Sequence, residues 1–310
     1  MINTLTLNPS IDRVLRLGKF QRNITNRLTS SMPSIGGKGT HVSINLRIMG
    51  TPSRAYGFAF GPNGRRIMDM LADAGVTPRF IYGDDANSRD NYVLIEEDTG
   101  DCTLIAEKGP QPDEKRLSAL FDMLQREIEP GDDLALSGDV SNFSGEDIYS
   151  RVVDLLSDKH PRVFLDASGP SLLMGIHKKP FLIKPNLDEL SAIAGRKLTS
   201  EKDITDAILH MDPLGIEIIA VSLGDKGSIV RAGDTLYRTI PPRVRVSNTI
   251  GCGDCFIAGL LHAFQNHFDM EATLRFATAA SAAKAECPAC VGFDMDRALE
   301  LRDQVIVTRM

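Results

Sequence analysis

Residues 249–259, TIGCGDCFIAG, combine side chains that suit two different kinds of chemistry. Cys252 and Cys255 form a C-x-x-C pair, and a second pair follows in CPAC at 287–290, so that the two pairs together could bind zinc. The same letters also predict a glycine turn that enters a helix. In that interpretation Asp254 is a base, and the cysteines take no part in the chemistry.

The helix interpretation follows from the apolar residues after the glycines. These residues recur at helical spacing: Phe256, Ile257, Leu260, Leu261 and Phe264. Gly251 and Gly253 therefore lie at a helix N-terminus, where backbone N–H groups bind anions and glycine lets a phosphate come close. Asp254, in the first turn, is expected to stay ionised and able to accept a proton. A simple N-cap on a tight turn is the alternative at this point.

Zinc is the less favoured interpretation, because four ligands must converge in a tetrahedron. Cys255 falls in the first turn of a long helix, and Cys252 lies between two glycines. A thioredoxin-like role for CPAC is disfavoured, because that pair follows an Ala-rich helix and not a first strand. Cys287 and Cys290 are therefore expected to be small buried thiols.

Two motifs suit a sugar or a sugar phosphate. Residues 34–50, SIGGKGTHVSINLRIMG, predict a glycine turn that leads into a helix. Their spacing is neither that of the P-loop nor G-x-G-x-x-G, but backbone N–H groups and Lys38 could hold a phosphorylated or hydroxyl-rich substrate. NPSID (8–12) follows the first predicted strand, so Asp12 could accept hydrogen bonds from two sugar hydroxyls. A purely structural turn is the alternative for each motif.

Two further motifs suit a nucleotide. In IKPNLDEL (183–190), Asn186 and Glu189 are three residues apart, which is typical of a capping box. The functional interpretation places both near a magnesium–phosphate cluster through waters, because magnesium keeps several waters and takes few protein ligands. VSLGDKGSIV (221–230) predicts a strand, a glycine turn and a strand, which is either a plain hairpin or a loop along a nucleotide.

The composition excludes several classes of protein. The chain has 310 residues, of which 42% are apolar and 25% charged, and its net charge of −6 does not favour nucleic acid. No apolar run is long enough for a bilayer, and the N-terminus lacks the pattern of a secretory signal. We therefore expect a cytoplasmic protein without a membrane partner, whose cysteines are thiols.

The elements that must position these motifs alternate between strand and helix. The strand candidates are 2–7, 54–60, 133–137, 162–167, 181–184 and 217–222, and the helix candidates are about 37–49, 62–74, 113–129, 145–157, 187–194 and 202–210. This order predicts one α/β domain over residues 1–310, with a mostly parallel sheet, helices on both faces and ligands beyond the carboxyl ends of the strands. Residues 13–34 and 88–106 predict a small antiparallel sheet beside it, and the region after 254 is expected to be mostly helical.

Taken together and in this order, the motifs resemble those of the phosphofructokinase B family of sugar kinases, which has the ribokinase-like fold. The match runs from TLNPSID near the N-terminus to the C-terminal helices. The combination of G-x-G-D at a helix start with GGKG and KPNxxEL is specific. LNPSID, NR upstream of GGKG, and LDASGPSL (165–172) are most similar to the 1-phosphofructokinase and tagatose-6-phosphate kinase branch.

The resemblance implies an ATP-dependent, Mg²⁺-requiring kinase of a phosphorylated ketohexose: fructose 1-phosphate, tagatose 6-phosphate or fructose 6-phosphate. Asp254 would be the general base, with the N–H groups of Gly251, Cys252 and Gly253 on the transferring phosphoryl group. The small sheet would be a lid that excludes water and pairs two chains into a homodimer. The other implied residues are Asp12, Arg27, Gly37, Lys38, His41 and Arg89 for the sugar phosphate, Lys184, Asn186, Ser222, Gly224 and Gly227 for the nucleotide, and Glu189 with Asn186 for magnesium through water.

The chain departs from the family pattern at three places. His41 stands where the family usually has an Asn that contacts the sugar, which leaves the identity of the sugar open. Cys252 and Cys255 replace mostly small residues, and because a helix N-terminus can lower a thiol pKa, we hypothesise that modification of Cys252 inhibits activity. Asp139 in LSGDV predicts an acidic group near the substrate.

Two other functions remain open from the sequence. One is a kinase of an unphosphorylated sugar or a nucleoside on the same fold, against which the cations Lys38, Arg27 and Arg89 argue. The other is a non-catalytic sensor of a sugar phosphate or nucleotide. Asp254 between its glycines and a helix argues against a sensor, because a sensor does not need a base.

Overall fold

Strands and helices alternate along most of the chain in the computed structural model, which describes residues 1–138, 140–143 and 147–310. The strands are β1 (Ile2–Thr6), β2 (Ser10–Leu17), β3 (Ser30–Gly36), β4 (Ser53–Phe60), β5 (Thr77–Gly83), β6 (Arg89–Glu96), β7 (Cys102–Ala106), β8 (Asp133–Ser137), β9 (Arg162–Asp166), β10 (Leu182–Ile183), β11 (Ile218–Ser222), β12 (Ser228–Ala232), β13 (Thr235–Ile240) and β14 (Ile306–Arg309). The helices are α1 (Lys38–Ile48), α2 (Gly61–Asp73), α3 (Glu114–Glu127), α4 (Ile148–Leu155), α5 (Gly169–Gly175), α6 (Leu187–Ile193), α7 (Glu201–Leu209), α8 (Cys252–Gln265), α9 (Met270–Ala285) and α10 (Met295–Arg302).

The large sheet contains ten strands in the order β14-β13-β12-β11-β10-β9-β8-β1-β4-β5. The strands from β11 to β5 in this order are parallel to their neighbours, while β12, β13 and β14 form an antiparallel edge. Because parallel strands need crossover connections, the helices between them cover both faces of the sheet.

Alternation along the strands explains why both faces are covered. In β11, Ile219 and Val221 lie in the core shared with α3, α4 and α7, whereas Ile218 and Ala220 lie in the core shared with α1, α8 and α9. Successive strand residues point to opposite faces, so a continuous apolar run such as IIAV is buried on both sides. The predicted α/β fold with helices on both faces is confirmed.

Capping residues set where several helices begin. The side chains of Asp113, Asp269 and Asp294 accept hydrogen bonds from the backbone N–H groups of the first turns of α3, α9 and α10. Such N-cap carboxylates satisfy N–H groups that would otherwise lack a partner. No helix in the described ranges is both long enough and apolar enough to cross a bilayer.

The small sheet has the strand order β3-β2-β6-β7, and its strands lie in or overlap residues 13–34 and 88–106. Within 88–106, β6 and β7 are antiparallel as predicted and are joined by residues 97–101. The prediction of antiparallel strands needs one correction, since the central pair of β2 and β6 is parallel. Residues 18–88 separate these two strands, and a connection of that length allows parallel pairing.

The sequence prediction missed four of the described elements: β5, β13, α5 and β14. β5 contains Pro78 and lies at the sheet edge, where a missing N–H is tolerated. α5 has seven residues, too few for a helical period to be visible. β14 has four mostly exposed residues, so it lacks an apolar pattern, and it adds a strand to a region expected to be mostly helical.

Helices α8 and α9 approach closely at Gly259. A Cβ atom at this position would lie 2.6 Å from the Cα atom of Ala277. The same helix, α8, carries Asp254 in its first turn. A side chain at Gly259 would force the two helices apart.

We predict that Gly259→Val lowers the free energy of unfolding by about 1–3 kcal/mol, because overpacking a dense core displaces its neighbours. Equilibrium urea denaturation measures the change. Ala272→Val is the matched control on the same helix pair, because Ala272 is only half-buried. It should stay within about 0.5 kcal/mol of wild type, and equal losses in both variants would contradict the close-contact explanation.

Candidate active site

The start of α8 is held in place by backbone geometry. Gly251 is the N-cap and has a φ of 83°, in the left-handed region that favours glycine. A Cβ atom there would also lie 2.0 Å from the carbonyl oxygen of Cys290. Gly251 therefore meets two independent requirements, conformational and steric, that no other residue satisfies.

The N–H groups of the loop before α8 differ in what they contact. The N–H of Cys252 donates to the carbonyl of Thr249 at 3.3 Å, whereas those of Gly251 and Gly253 have no acceptor among the residues that the structure describes. Ser281 on α9 donates to the carbonyl of Cys252 at 3.0 Å and steadies the loop. Gly251 and Gly253 thus offer the N–H groups that suit an anion.

Asp254 is buried and hydrogen-bonded to His41 on α1. The distance from His41 Nδ1 to Asp254 Oδ2 is 2.6 Å, and the other ring nitrogen lies 2.8 Å from the carbonyl oxygen of Ile35. Burial disfavours a charged imidazole, but the hydrogen bond to Asp254, its charge and that of Asp12 raise the pKa of His41. The predicted sugar-binding His41 therefore contacts the predicted base.

A second buried carboxylate, Asp166, lies at the carboxyl end of β9 between two lysines. Its Oδ1 atom is 3.1 Å from the Nζ atom of Lys38 and 3.3 Å from that of Lys184. Burial opposes the ionised form, but the charges of Lys184 and Lys38 lower the pKa of Asp166. The Lys184 ammonium also lies against the anion-binding loop, because a Cβ atom on Gly253 would be 3.2 Å from its Nζ atom.

Asp166 was missed in the sequence, although a signal was present. It ends the predicted strand at 162–167, and ligands of parallel sheets bind beyond such ends. Lys284 was missed as well: it is fully buried on α9 and donates to the carbonyl of Asn248 at 3.3 Å. Asn248 in turn accepts from the N–H of Ile250 at 2.9 Å, so this lysine supports the chain that enters the loop.

A cavity of about 750 Å³ lies between the β12–β13 hairpin and helices α8 and α9. This volume is typical of a site for a small organic ligand. It brings together six predicted residues: Asn186, Ser222, Gly224, Gly227, Cys252 and Gly253. The lining residues that sequence reasoning missed include Thr249, Phe256, Ser281 and those of the 241–246 segment, which has no periodic pattern.

Asn186 and Glu189 form the capping box of α6. Asn186 Oδ1 accepts from the N–H of Glu189, and Glu189 Oε2 accepts from the N–H of Asn186, both at 2.8 Å. In the described parts of the chain, no group of three or more His, Cys, Asp or Glu residues is placed to hold a metal. A magnesium ion here would have few protein ligands, as is usual for one bound to phosphates.

Asp12 lies on β2 of the small sheet, next to the glycines that precede α1. Its Oδ1 atom accepts from Ser10 Oγ at 2.7 Å and from Asn91 Nδ2 at 3.0 Å. A Cβ atom on Gly36 would lie 2.0 Å from that oxygen, so the glycine that Asp12 requires is Gly36. The predicted Gly37 caps α1 with a φ of 108°.

The three predicted phosphate-binding cations have different surroundings. Arg27 is exposed on the connection between β2 and β3. Arg89 is buried and donates to the carbonyls of Asn8 and Glu107 at 3.1 and 3.0 Å. Lys38 belongs to the Asp166 cluster, where the neighbouring carboxylates raise its pKa although burial opposes the charge.

The hypothesis for Cys252 needs correction, whereas zinc was already the less favoured interpretation. Burial raises the pKa of Cys252 to about 11, so the expected activation by the helix N-terminus is overridden and modification at neutral pH is disfavoured. Zinc has no support in the described residues, because the cysteines of both pairs are free thiols outside any metal-binding group. Asp139, predicted near the substrate, lies outside the described residues.

We predict that Asp166→Asn lowers the free energy of unfolding at pH 7 by about 3–5 kcal/mol, because it leaves the buried ammonium group of Lys184 and the half-buried one of Lys38 without their carboxylate. The folded pKa of Asp166 is depressed, so its stabilisation is present above the ordinary value of 3.8 and is lost as the pH falls through the folded value. Urea denaturation measures this at pH 7 and at acidic pH. The difference in the free energy of unfolding between wild type and Asp166→Asn should be smaller in acid.

The control is Asp154→Asn, which removes an exposed pair with Lys178 at 2.7 Å. Exposed pairs contribute less than about 1 kcal/mol. If both substitutions had the same small effect on the free energy of unfolding, the ion pairs of Asp166 would behave as solvated and not as buried pairs.

The chain is similar to known carbohydrate kinases over most of its length. Residues 5–296 match the family model described as pfkB family carbohydrate kinase. The 1-phosphofructokinase of Borreliella burgdorferi is 33% identical over 289 residues, covering 92% of each chain, and that of Bacillus subtilis is 29% identical over 287 residues, again 92% of each. Phosphofructokinase-2 from Escherichia coli, solved in complex with substrates and products, superposes with a TM-score of 0.90 at 25% identity over 98% of each chain.

Proposed function

Because the chain belongs to the pfkB family of carbohydrate kinases, we propose that it transfers the γ-phosphate of ATP to a hydroxyl of a phosphorylated ketohexose. The general class is that of a phosphotransferase with a hydroxyl acceptor, similar to 1-phosphofructokinases. Fructose 1-phosphate is the first candidate acceptor, followed by tagatose 6-phosphate and fructose 6-phosphate. The observation that carries the proposal is a buried carboxylate, Asp254, in the first turn of α8, directly after Gly253, which lines a cavity large enough for a small organic ligand.

In the proposed reaction Asp254 accepts the proton of the acceptor hydroxyl, whose oxygen forms the new bond to phosphorus while ADP leaves. The N–H groups of Gly251 and Gly253 and the ammonium of Lys184 surround the place where negative charge accumulates. Phosphoryl transfer depends mainly on positioning and charge neutralisation. This arrangement supplies both, because the donors are held by backbone geometry and by the Asp166 pair.

The nucleotide is proposed to lie in the cavity along Ser222, Gly224 and Gly227, with its phosphates toward Gly253. Bound magnesium would neutralise phosphate charge, and Asn186 and Glu189 could hold it through water. The capping box favours this indirect contact, because each side chain already uses one oxygen within α6.

The acceptor is proposed to lie on the opposite side of the loop, against Asp12 and the small sheet. Asp12 is held by Ser10 and Asn91 and is placed to accept from sugar hydroxyls. Lys38, Arg27 and Arg89 would meet the negative charge of the substrates, Arg27 from the exposed lid connection. Water would be excluded when the small sheet covers the sugar.

The small sheet is also proposed to pair two chains into a homodimer. Five large apolar side chains of this sheet and its β2–β3 connection are 43–58% exposed: Phe20, Ile24, Leu28, Leu104 and Ile105. A cluster of exposed apolar residues on one element is typical of an interaction surface. The proposed setting is cytoplasmic.

ADP release from Mg-ATP, measured with each ketohexose phosphate, free fructose, ribose and a nucleoside, tests the function. We predict turnover on one sugar phosphate and a loss of about 10²–10⁴-fold in kcat in Asp254→Asn, because the general base is removed. ATP binding to the variant, measured by calorimetry, should be retained, since the cavity does not include the carboxylate. ATP binding without turnover on any acceptor would favour a sensor instead.

We predict that Leu104→Asp with Ile105→Asp halves the solution mass measured by light scattering, because two charges would lie in the proposed dimer surface. The control is Leu209→Asp on α7, outside the small sheet, where the leucine is similarly exposed at 45%. It should leave the mass unchanged. A dimeric mass for the lid variant would place the interface elsewhere.

A further inference from the structure

The two ring nitrogens of His41 have partners of different kinds. Nε2 lies 2.8 Å from the carbonyl oxygen of Ile35, which can only accept a hydrogen bond. Nε2 must therefore carry a proton. The proton on Nε2 is thereby assigned, whereas the protonation of Nδ1 depends on the group that Nδ1 contacts.

Nδ1 lies 2.6 Å from Oδ2 of Asp254. If the ring were neutral with its proton on Nε2, the Nδ1 lone pair would face a carboxylate oxygen at this distance without a hydrogen between them. One more proton must therefore lie in the contact. The pair is either imidazolium with carboxylate or imidazole with carboxylic acid, and each form holds one shared proton.

The surroundings favour the imidazolium with a carboxylate. His41 and Asp254 are both buried, at 3% and 6% exposure, so bulk water does not screen their interaction. The charged groups that face the ring are Asp254 from α8 and Asp12 from β2, and both raise its pKa against the effect of burial. Lys38, one turn earlier on α1, also interacts with the charge of Asp254.

We infer that His41 is a positioning residue for the proposed base, and that the imidazolium and Asp254 share one buried proton that holds the carboxylate by Oδ2. The inference rests on the proposed function. Oδ1 is then the oxygen left for the acceptor hydroxyl, and the pair holds two protons after transfer. An Asn at this position could donate a hydrogen bond to Asp254, but it could not supply the charge or be titrated.

A pH dependence follows from the shared proton. Because the pKa of His41 is raised, the imidazolium is present below that pKa and is lost as the pH rises through it. Above it the Nδ1 lone pair faces Oδ2, and the carboxylate is no longer held. The pH profile of the turnover number should therefore have an alkaline limb, in which kcat falls because His41 loses its proton.

The direct test is the ¹⁵N spectrum of the histidine rings in the full chain, with His41→Asn used for assignment. At pH 7 both nitrogens of His41 should be protonated, and Asp254→Asn should lower the pKa of His41 because its carboxylate partner is gone. His262 is the internal control: it is partly buried, its pKa is lowered by burial and its Nδ1 atom contacts Thr51 at 2.7 Å. A neutral His41 at pH 7, or a titration unchanged in Asp254→Asn, overturns the inference.

The kinetic test compares pH profiles of kcat for wild type, His41→Asn and His41→Gln. We expect the variants to lose as much as about 10²-fold in kcat near neutral pH, as for a displaced catalytic group, and to lack the alkaline limb. A role for His41 in sugar contact alone would raise KM for the sugar phosphate and leave the limb in place, which contradicts the inference. The two proposals can fail separately. If Asp254→Asn kept full activity while His41 was protonated beside Asp254 in wild type, Asp254 would not be the base, but the inference of a shared proton would hold.

Discussion

Pairing of buried charges is the constraint on which the rest of the site depends. Asp166 and Asp254 are both withdrawn from water, and an isolated ion in such a place would be strongly disfavoured. Asp166 is compensated by Lys38 and Lys184, and Asp254 by His41. The compensating groups come from α1 and from the end of β10, so the position of each charge depends on the packing of elements distant in sequence.

The parallel sheet brings these groups together. Strands β9 and β10 are parallel neighbours, and both end at the same edge of the sheet. The topology of the sheet therefore brings Asp166 and Lys184 close together. Helix α1 begins at this edge, after β3, and delivers Lys38 and His41 one turn apart. Helix α8 begins there as well and adds Asp254 and the glycine loop.

The loop before α8 separates two environments. On one side lies the cavity that reaches from the β12–β13 hairpin to Gly253. On the other lie Asp12, Ser10 and Asn91, which belong to the small sheet. Under the proposed function, the cavity would receive the nucleotide, and the residues of the small sheet would receive the sugar phosphate.

The sequence by itself determined the architecture and predicted where the chemistry lies. Apolar runs buried on both faces and helix-period segments identified six strands of the large sheet and six helices, because local alternation reports burial directly. The glycines around Asp254 marked the anion-binding turn for a local reason as well: a φ of 83° at Gly251 favours glycine whatever surrounds it.

Only the tertiary structure decided which partners these residues have. His41 lies 213 positions from Asp254, and Lys38 lies 128 positions from Asp166, so no local pattern could pair them. The thiol of Cys252 shows the same limit, because the helix N-terminus is visible in the sequence whereas the burial that raises its pKa is not. Contacts between distant segments depend on packing, and packing decides protonation, charge compensation and which oxygen of Asp254 remains available.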